Sequence, residues 1–573
     1  MPKILLYIII TVAVALLIFI FFHKEHYPSD EKTVMQGKEI FTKYCLSCHG
    51  LKAEGFGPPL GGITRILSEN ELKALIKNPS KAIEVTSSRA ARQYARYKQV
   101  MPSFDWMKDE EVTSVLSYIH QQTELNDINP VSVKADTTAA AFTGRLIPPI
   151  KKSGLKIELE DVIQIPHLPG TTTDLGIVTL RPHPSGDGTL LVSDQNGIIY
   201  IIDGNRASIF LNICDYVKDF QNGPGIATGI GSFDFHPDFL NNGLLYILHA
   251  ETYKGQKADY AIVTDSLKSV VQWVLSEWKM NHANDRAFSG TYRELLRLHA
   301  PNFAHGAQDL SFIPGLEKND PEYGLLYFGY GDGGSNNIKH PELGHHLKSF
   351  LGSILRIDPS GHNSKNGNYG IPATNPFVNE TDPGVVKEIY AFGFRNPHRL
   401  AWDKPNHNRM MATDIGESNI EELNIIEKGG DYGWPSREGN FGINTKKDPK
   451  TVYKISEPDL DLYKKPFVVY DHEEGNAISG GYVYEGDLTA LKDKYIFGDI
   501  VNGRLFYVNV NPALSDSTIH ELTIVRDGKE TSLKEMSNTK RLHLRIAYDR
   551  RTGNMYVISK MDGMIRRIVK AYN

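Results

Sequence analysis

The spacing of hydrophobic positions changes twice along the chain. Residues 4–22 form an apolar run without a charged side chain, long enough to cross a membrane as a helix. Within residues 34–123 the apolar positions recur at helical spacing, whereas after about residue 155 short apolar runs alternate with turns. The pattern predicts a multidomain chain with an N-terminal transmembrane helix, an all-α domain and a large all-β domain.

We expect the N-terminal run to be retained as a membrane anchor over residues 1–24. Lys3 precedes the run, and no Ala-x-Ala-like cleavage site follows it, so a removed signal peptide is not indicated. Lys24 lies on the far side of the run, and flanking charge therefore gives no clear orientation in the membrane.

Helix signals define the all-α domain, which we place at residues 34–123. Residues 37–44 favour a short first helix, and Ser68 with Glu71 three residues later has the form of a capping box. Over residues 109–121, four apolar side chains follow the i, i+3, i+4, i+7 spacing of one helix face: Val112, Val115, Leu116 and Ile119.

A haem attachment sequence lies in this domain. Cys45, Cys48 and His49 form Cys-x-x-Cys-His, in which the thiols bind the porphyrin and the histidine binds the iron from one side. Half of a zinc site is the alternative interpretation, but the sequence contains no second Cys-x-x-Cys to complete such a site. We therefore expect covalently attached haem c.

The order of motifs in this domain resembles that of class I cytochromes c. In that family a methionine followed by proline, well downstream of the haem motif, is the second axial ligand of the iron. The resemblance assigns that role to Met101, which precedes Pro102. Met107 is a nearby alternative, and a core methionine is another interpretation of Met101. Ligation by His49 and Met101 would raise the haem potential, which suits an electron acceptor.

Composition, together with the haem motif, limits the cellular location and the binding partners that we expect for the protein. The net charge of −5 gives no reason to expect nucleic acid binding. With only 3 cysteines, two of them in the haem motif, Cys214 has no partner for a disulfide framework. Haem c is attached outside the bacterial cytoplasmic membrane. We therefore expect a single-pass protein of the inner membrane, with its bulk in the periplasm and a respiratory electron acceptor as its partner.

A repeated pattern defines the β-rich region. A polar linker containing prolines is predicted over residues 124–154. Beyond it, an apolar strand, a turn and a second apolar strand recur about six times over residues 155–573. Clear copies are residues 189–203, 493–508 and 553–568. Because radial repetition leaves few exposed sheet edges, the repeat predicts a six-bladed β-propeller.

Five segments of the β-domain combine Gly and either Asn or Asp with His, Arg or Glu: 302–310 with 327–334, 352–361, 393–399, 413–424 with 430–435, and 480–486 with 497–504. Taken in this order they resemble the glucose/sorbosone dehydrogenase family. That family comprises six-bladed propellers that bind pyrroloquinoline quinone (PQQ) together with calcium. The resemblance runs over most of residues 170–570 and implies a sugar substrate.

The resemblance implies which residues act in catalysis. His305 occupies the position of the general base, and neutral imidazole suits removal of a hydroxyl proton near pH 7. Arg395 and Asn396 match an Arg-Asn pair that meets PQQ, where a fixed cation stabilises negative charge. The alternative interpretations are a hydrogen-bonded structural histidine for His305 and a structural salt bridge for Arg395.

The resemblance also implies two calcium sites. Gly416 and Glu417 match positions whose backbone carbonyls bind the calcium of PQQ. Glu422 and Tyr432 match a second, structural site. Hard oxygen ligands suit Ca²⁺, although an acidic run of this kind is equally consistent with a solvated turn.

Gln308 replaces the Gly of the family's His-x-x-Gly-x-Leu-like stretch, and two further positions depart from the pattern of the soluble glucose enzymes. Glu485 stands where those enzymes have a lysine that meets a PQQ carboxylate, and His398 stands where they have glutamine. Arg504 is the candidate for supplying the missing positive charge. The segments around residues 480–504 are closer to a second branch, the hedgehog-interacting-protein-like propellers, which includes binding proteins.

The sequence thus predicts a membrane-anchored quinohaemoprotein that oxidises a sugar with PQQ and passes the electrons to its own haem. The alternative is a haem-bearing module that binds a carbohydrate or a protein without PQQ turnover. A catalytic haem is a second alternative, against which Met101 argues because it would fill the sixth coordination position.

Overall fold

The computed structural model describes residues 27–46, 48–52, 57–84, 89–97, 101–130, 146–166, 176–223, 228–262, 267–445, 448–453, 455, 461–539, 542–560 and 562–573. The predicted membrane helix at residues 4–22 lies outside these ranges. Of the helices inside them, none is long and apolar enough to cross a membrane. The chain divides into two compact units between residues 135 and 136.

The first unit is helical. Its α-helices are α1 (Glu31–Ile40), α2 (Glu69–Lys77), α3 (Pro79–Glu84), α4 (Arg89–Tyr97) and α5 (Asp109–Leu125). A π-helical turn, Phe41–Cys45, continues α1 into the haem motif, and a 3₁₀ turn covers Ile63–Arg65. The first helix begins earlier than predicted because the Asp30 side chain accepts the backbone N–H of Thr33 and so caps the helix at residue 31.

Local sequence signals account for the other helices of this unit. The capping box at Ser68 and Glu71 is confirmed, with each side chain bonded to the other's backbone N–H. The four periodic side chains of α5 are buried and form a core with Phe41 and Leu72. Helix α1 packs closely on α5, since a Cβ at Gly37 would lie 1.9 Å from the carbonyl oxygen of Ser114.

Among its described residues, the second unit is built of strands with two short α-helices, α6 (Phe239–Asn242) and α7 (Leu533–Ser537). It opens with β1 (Lys151–Gln164), followed by six groups of strands that we call blades and number in chain order. Blade 1 contains β2 (Thr179–Pro182), β3 (Leu190–Ser193), β4 (Ile198–Asp203) and β5 (Arg206–Asn212). Blade 2 contains β6 (Ile230–Phe235), β7 (Leu244–Thr252), β8 (Tyr260–Ala261), β9 (Val271–Met280) and β10 (Gly290–Ala300).

The next two blades contain long segments between their third and last strands. Blade 3 contains β11 (Ala307–Phe312), β12 (Leu326–Tyr330), β13 (Ser353–Ile357) and β14 (Ile389–Phe392). Blade 4 contains β15 (Pro397–Asp403), β16 (Arg409–Asp414) and β17 (Ile420–Ile425), then a three-stranded insertion, then β21 (Val468–Asp471). The insertion consists of β18 (Arg437–Glu438), β19 (Phe441–Asn444) and β20 (Asp448–Tyr453).

The last two blades share one continuous sheet. Blade 5 contains β22 (Tyr482–Val483), β23 (Lys494–Gly498), β24 (Leu505–Asn509) and β25 (His520–Arg526), with β26 (Lys529–Thr531) at its edge. Blade 6 contains β27 (Leu544–Asp549), β28 (Asn554–Ser559) and β29 (Met564–Tyr572). Strand β1 completes blade 6 by pairing antiparallel with β29, and it joins blade 5 by pairing parallel with β25. The segment predicted as linker therefore already contains the first residues of a strand, from Lys151.

The six blades form a ring. Their first strands, β2, β6, β11, β15, β22 and β27, contact one another in that order, and β27 returns to β2. The predicted hairpins are present as β3–β4, β23–β24 and β28–β29. The result is a large propeller-like all-β domain. Large apolar clusters fill the spaces between neighbouring sheets, such as that from Tyr246 in blade 2 to Leu355 in blade 3.

Candidate functional site

The candidate catalytic residues lie where first strands of neighbouring blades begin. His305 stands two residues before β11, and Arg395 stands two residues before β15. His305 and Asn396 approach each other closely beside Gly331. A Cβ at Gly331 would lie 2.6 Å from the Cβ of His305 and 2.9 Å from the Oδ1 of Asn396. A side chain at position 331 would separate these groups, so the ring of first strands brings His305 and Asn396 together.

A buried carboxylate orients His305. The Nδ1 of His305 lies 2.6 Å from Oδ1 of Asp332. Because an ionised carboxylate only accepts hydrogen bonds, Nδ1 carries the proton and Nε2 is the acceptor nitrogen of the ring. The backbone of His305 has a φ of 49°, in the left-handed region that a non-glycine residue rarely adopts. Such strain is common at functional sites.

Asp332 is itself held by several donors. Its Oδ1 also accepts the backbone N–H of Gly334 at 2.8 Å. Its Oδ2 accepts the hydroxyl of Ser335 at 2.9 Å and the indole N–H of Trp434 at 3.0 Å. Burial acts to raise the pKa of Asp332, but His305, Arg395 and Ser335 outweigh it and keep the pKa below 3.8. The carboxylate is therefore ionised although it is buried.

The electrostatics keep His305 neutral near pH 7. Burial and then the positive charge of Arg395 lower the pKa of His305 below its ordinary value of 6.5, and Asp332 opposes them only in part. A neutral imidazole with its acceptor at Nε2 is the form that a general base requires.

Arg395 is a buried cation with fixed orientation. Its Nε donates to Oε2 of Glu417 at 2.7 Å, and its Nη1 donates to the carbonyl of Ile415 at 3.0 Å. The guanidinium carbon lies 5.7 Å from the ring centroid of Trp434. The salt bridge considered as an alternative for Arg395 is thus present, and it places the cation among the neighbours of His305.

Asn396 presents an oxygen without a partner. The backbone N–H groups of Arg395 and Asn396 both donate to the carboxylate of Asp414, at 3.0 and 2.6 Å, which fixes the turn. Within the described part of the chain, the buried Oδ1 of Asn396 accepts no hydrogen bond. A buried orphan acceptor is costly, and a ligand that donates to it would remove that cost.

A cluster of buried basic residues lies near the same ends of the strands. His398 and Arg399 belong to β15, Arg545 belongs to β27, and Lys560 directly follows β28. The backbone N–H of Lys560 bonds to the carbonyl of His543, just before β27 begins. In the described structure, the buried Nε of Arg545 and the Nδ1 of His398 have no hydrogen-bond partner.

The charges of this cluster repel one another. Burial, then Arg545 and Arg399, lowers the pKa of Lys560 well below 10.5. Burial together with these cations lowers the pKa of His398 well below 6.5. Asp309 lies 3.7 Å from Arg399, but it is shared with Arg181 at 3.2 Å. The cluster therefore suits an anion, which would relieve the repulsion.

The structure pairs Arg504 with carboxylates. Its guanidinium bonds to Glu474 at 2.8 Å and to Glu521 at 2.7 Å, so its charge is already balanced. Glu485 forms an ion pair with Arg550. Arg545 and Lys560 differ from Arg504 in that burial and neighbouring cations lower the pKa values of both groups well below their usual values. Neither was identified from the sequence, because Arg545 belongs to no motif and the repeat at residues 553–568 that contains Lys560 indicates only a hairpin.

The residues proposed for calcium offer mainly backbone oxygens. Glu438 accepts the N–H groups of Ser418, Asn419 and Ile420 at 2.8 to 3.1 Å. Because a trans peptide directs its C=O opposite to its N–H, the carbonyl of Glu417 points away from Glu438. Gly416 is required in this turn, since a Cβ there would lie 1.8 Å from the carbonyl oxygen of Ile420.

Side chains contribute less to these candidate calcium sites. Throughout the described ranges, no group of three or more His, Cys, Asp and Glu side chains is arranged to hold a metal ion. Tyr432 donates its hydroxyl to the carbonyl of Ile425 at 2.6 Å, which leaves its main-chain oxygen as the possible ligand. Glu422 is buried, and burial raises its pKa to about 7. A cation would compensate that carboxylate.

The haem-attachment residues lie where the helical unit turns from the π-helical turn into a loop. The Nδ1 of His49 lies 2.7 Å from the carbonyl oxygen of Pro58, so Nδ1 is the donor and Nε2 is left to bind iron. Gly57 allows this loop to approach, because a Cβ there would lie 2.2 Å from the imidazole. Met107 is buried in the core, whereas Met101 is only partly buried.

Sequence profiles of two families match the chain. The profile described as Glucose / Sorbosone dehydrogenase matches residues 180–557, and the profile described as Cytochrome c matches residues 34–123.

Individual relatives are distant. HIPL1 protein of Arabidopsis thaliana is 26% identical over 411 residues, which cover 62% of this chain and 56% of the relative. Quinoprotein glucose dehydrogenase B of Acinetobacter calcoaceticus is 28% identical over 237 residues, which cover 39% of this chain and 43% of the relative. The chain thus spans about half the length of the curated relatives it matches.

A solved structure shares the fold. The soluble aldose sugar dehydrogenase from Escherichia coli, in its apo form, superposes with a TM-score of 0.50 at 19% identity. The match covers 72% of this chain and 99% of that chain. At this level of identity the likeness supports the propeller-like fold and no more.

Proposed function

The chain belongs to the glucose/sorbosone dehydrogenase family and carries a cytochrome c domain, and on that premise we propose that it oxidises a sugar with PQQ and delivers the electrons to haem c. The observation that carries the proposal is the buried His305–Asp332 pair, joined at 2.6 Å, with the cation of Arg395 among its neighbours. His472 and Glu421 form a similar buried pair at 2.8 Å, but only His305 of these two histidines has a backbone φ in the left-handed region, at 49°, where strain is common at functional sites.

His305 acts as the general base in this proposal. Oxidation of a sugar at C1 removes a hydride from carbon and a proton from the hydroxyl. Nε2 of His305 takes the hydroxyl proton, while the Nδ1–H bond to Asp332 holds the ring and stabilises the imidazolium that forms. Arg395 provides a fixed positive charge where negative charge develops, without reorganisation during the reaction.

The residues present fit PQQ, a quinone with three carboxylates. Arg399, Arg545 and Lys560 would hold its carboxylates, since they are buried and lack sufficient counter-charge. Asn396 would offer its unpartnered Oδ1 to a donor of the ligand. When bound, PQQ supplies the two-electron acceptor for the hydride that leaves the sugar.

Calcium and haem c complete the proposed cofactor set. The carbonyls of Gly416 and Glu417 suit a hard cation. Cys45 and Cys48 would attach haem c, and His49 and Met101 would bind its iron; the group would supply a one-electron acceptor. We place the protein in the inner membrane through residues 4–22, with both domains in the periplasm and a respiratory electron acceptor as the redox partner.

Reduction of the haem by sugar tests the proposal. The purified full-length protein, with haem attached, would receive PQQ and Ca²⁺, followed by a panel of aldoses, and the reduced haem bands would be followed by absorbance. We expect reduction only when PQQ and a suitable sugar are both present. Absence of reduction with every sugar, despite demonstrated PQQ binding, would refute the dehydrogenase.

The second candidate is a propeller that binds a carbohydrate or protein without turnover. The similarity to Hedgehog-interacting protein of Homo sapiens favours it, because that relative is named for binding a protein and is 28% identical over 341 residues, which cover 57% of this chain and 42% of the relative. In this case a sugar would bind with the same affinity in the presence and absence of PQQ, and the haem would stay oxidised.

Replacing Arg545 is expected to weaken PQQ binding and, at the same time, to raise the stability of the cofactor-free protein. Arg545→Met removes one charge-assisted contact, and hydrogen bonds to charged groups contribute about 1.5–3 kcal/mol, so PQQ affinity should fall roughly 10- to 100-fold. The cofactor-free protein should melt at a higher temperature, because a buried cation with little compensation has been removed.

Calorimetric titration with PQQ and thermal melting would measure the two effects of Arg545→Met. Arg409→Met is the matched control, since Arg409 is also largely buried but already pairs with Asp403. The control should lower the melting temperature and leave PQQ affinity unchanged. Equal PQQ affinity in Arg545→Met and wild type would show that the cation cluster does not hold the cofactor.

Calcium is expected to stabilise the protein selectively. The candidate ligands are carbonyl and carboxylate oxygens on a turn, a set that suits the flexible coordination of Ca²⁺ better than the strict octahedron of Mg²⁺. Millimolar Ca²⁺ should therefore raise the melting temperature more than the same concentration of Mg²⁺, and chelation should reverse the effect. Identical melting curves with Ca²⁺, Mg²⁺ and chelator would count against both calcium sites.

A further inference from the structure

We infer that Trp434 is a positioning residue of the site, whose indole N–H holds the Asp332 carboxylate in the orientation that serves His305. The inference rests on the proposed function and adds to it a residue outside the base and the cation. Trp434 itself is not a catalytic residue, because it acts through Asp332 and Arg395.

The two oxygens of Asp332 have different partners. Oδ1 faces His305 at 2.6 Å, and Oδ2 accepts the indole N–H of Trp434 at 3.0 Å. Rotation of the carboxylate would break both bonds at once. Since Trp434 is only 3% exposed, water cannot readily replace its N–H, and the carboxylate keeps one orientation.

Trp434 reaches the site from a neighbouring blade. It lies between β17 and β21 of blade 4, whereas Asp332 follows β12 of blade 3. Its backbone N–H is anchored to the carbonyl of Gly393 at 2.8 Å. Gly344 leaves room for the pair, because a Cβ there would lie 3.0 Å from Cβ of Asp332 and 3.4 Å from Cδ1 of Trp434. The indole of Trp434 in blade 4 therefore forms a hydrogen bond with the carboxylate in blade 3 that orients His305.

The same ring also faces Arg395, with the guanidinium carbon 5.7 Å from its centroid. The face of an aromatic ring attracts a cation, and its N–H edge donates to an anion. Trp434 thus stabilises the cation of Arg395 with its ring face and the carboxylate of Asp332 with its N–H. Direct pairing of Arg395 with Asp332 would compete with the bond from Asp332 to His305.

If Trp434 served only in packing, its replacement by Phe would lower stability without moving the His305 titration. Trp434 also contacts Ile443 and Val452, so any substitution will cost some stability. Trp402 offers a matched control in the same blade: it is 4% exposed, and its indole N–H donates to the hydroxyl of Ser311 at 3.2 Å. It lies near the end of β15 that is remote from Arg395.

The test compares Trp434→Phe with Trp402→Phe, and it begins without PQQ. Histidine labelled with ¹³C at Cε1 is followed by NMR against pH, and the His305 signal is assigned by its loss in His305→Gln. Loss of the indole donor leaves more negative charge on Oδ1 of Asp332, which stabilises the protonated imidazole. We therefore expect the His305 titration to move to higher pH in Trp434→Phe and to stay unchanged in Trp402→Phe.

The same variants are then assayed with PQQ, Ca²⁺ and sugar. In Trp434→Phe the acid limb of kcat/KM should move to higher pH in step with the NMR titration. The value of kcat should fall roughly tenfold, as expected for a slightly misplaced base, with little change in KM. If Trp434→Phe does not fold, benzothienylalanine at position 434 keeps the ring shape and lacks the N–H donor.

The outcomes separate the two proposals. A His305 titration that is identical in wild type and the N–H-deficient variant overturns the role of Trp434, even if activity falls. A shifted titration in a protein that oxidises no sugar supports the role of Trp434 in orienting Asp332 and refutes the dehydrogenase.

Discussion

His305→Gln is expected to lower kcat about 10²- to 10⁴-fold, the usual contribution of a positioned general base. Glutamine preserves much of the size and polarity of the imidazole but cannot take the hydroxyl proton. PQQ affinity should change little, because the buried cations proposed to hold its carboxylates are unaltered. Steady-state kinetics with haem reduction as the readout would measure the loss.

His305→Gln should also change how the rate depends on pH. Burial and Arg395 lower the pKa of His305 below 6.5, and the base works only when it is deprotonated. The wild-type rate should therefore rise with pH along an acid limb whose midpoint lies below pH 6.5, and stay high above it. His305→Gln should lose that limb, since no imidazole remains to titrate at the site.

His299→Gln is the matched control for His305. His299 is also buried, and its Nε2 lies 3.0 Å from Oε1 of Gln272 within blade 2. This variant should keep both the rate and the acid limb of wild type. A small loss of rate in His305→Gln, no larger than in His299→Gln, would assign His305 a structural role and require another base.

Replacing both haem cysteines is expected to abolish electron delivery without abolishing sugar oxidation. In Cys45→Ala/Cys48→Ala no thioether can form, so haem should be absent from the denatured protein. Reduction of an artificial dye by sugar should continue at close to the wild-type rate, because His305 and Arg395 belong to the other compact unit. Transfer to a respiratory acceptor should fall to background.

Cys214→Ala provides the control for the cysteine substitutions. Cys214 is an exposed free thiol of the propeller-like unit, so its replacement should leave haem content, dye reduction and acceptor reduction unchanged. If the double variant also loses dye reduction while remaining folded, the haem would be required for the oxidation itself. The separation of oxidation from electron exit would then be wrong.

Contiguous motifs could be interpreted without a structure. The haem motif consists of neighbouring residues whose spacing is dictated by covalent chemistry, so Cys45, Cys48 and His49 needed no tertiary information. The capping box at Ser68 is similarly local, because its two hydrogen bonds join residues three positions apart. The hairpin repeat predicted the ring of six blades, since each repeat is a local strand–turn–strand unit.

The charge balance of the site could not be predicted in this way, because it depends on contacts between residues far apart in sequence. Arg504 was a reasonable candidate for an anion site until folding paired it with Glu474 and Glu521. Arg545 lies outside every motif, and Lys560 lies in a repeat that indicates only a hairpin, yet folding brings both near Arg399.

Asp332 shows the same dependence on folding. The Gly-Asp-Gly-Gly sequence around it predicts a tight turn, and Asp332 does accept the N–H of Gly334 within that turn. Its contacts with His305 and Trp434 span 27 and 102 residues of sequence. Local chemistry therefore identifies the haem and the repeating strands, whereas long-range packing determines which buried charges are paired and which remain available to a ligand.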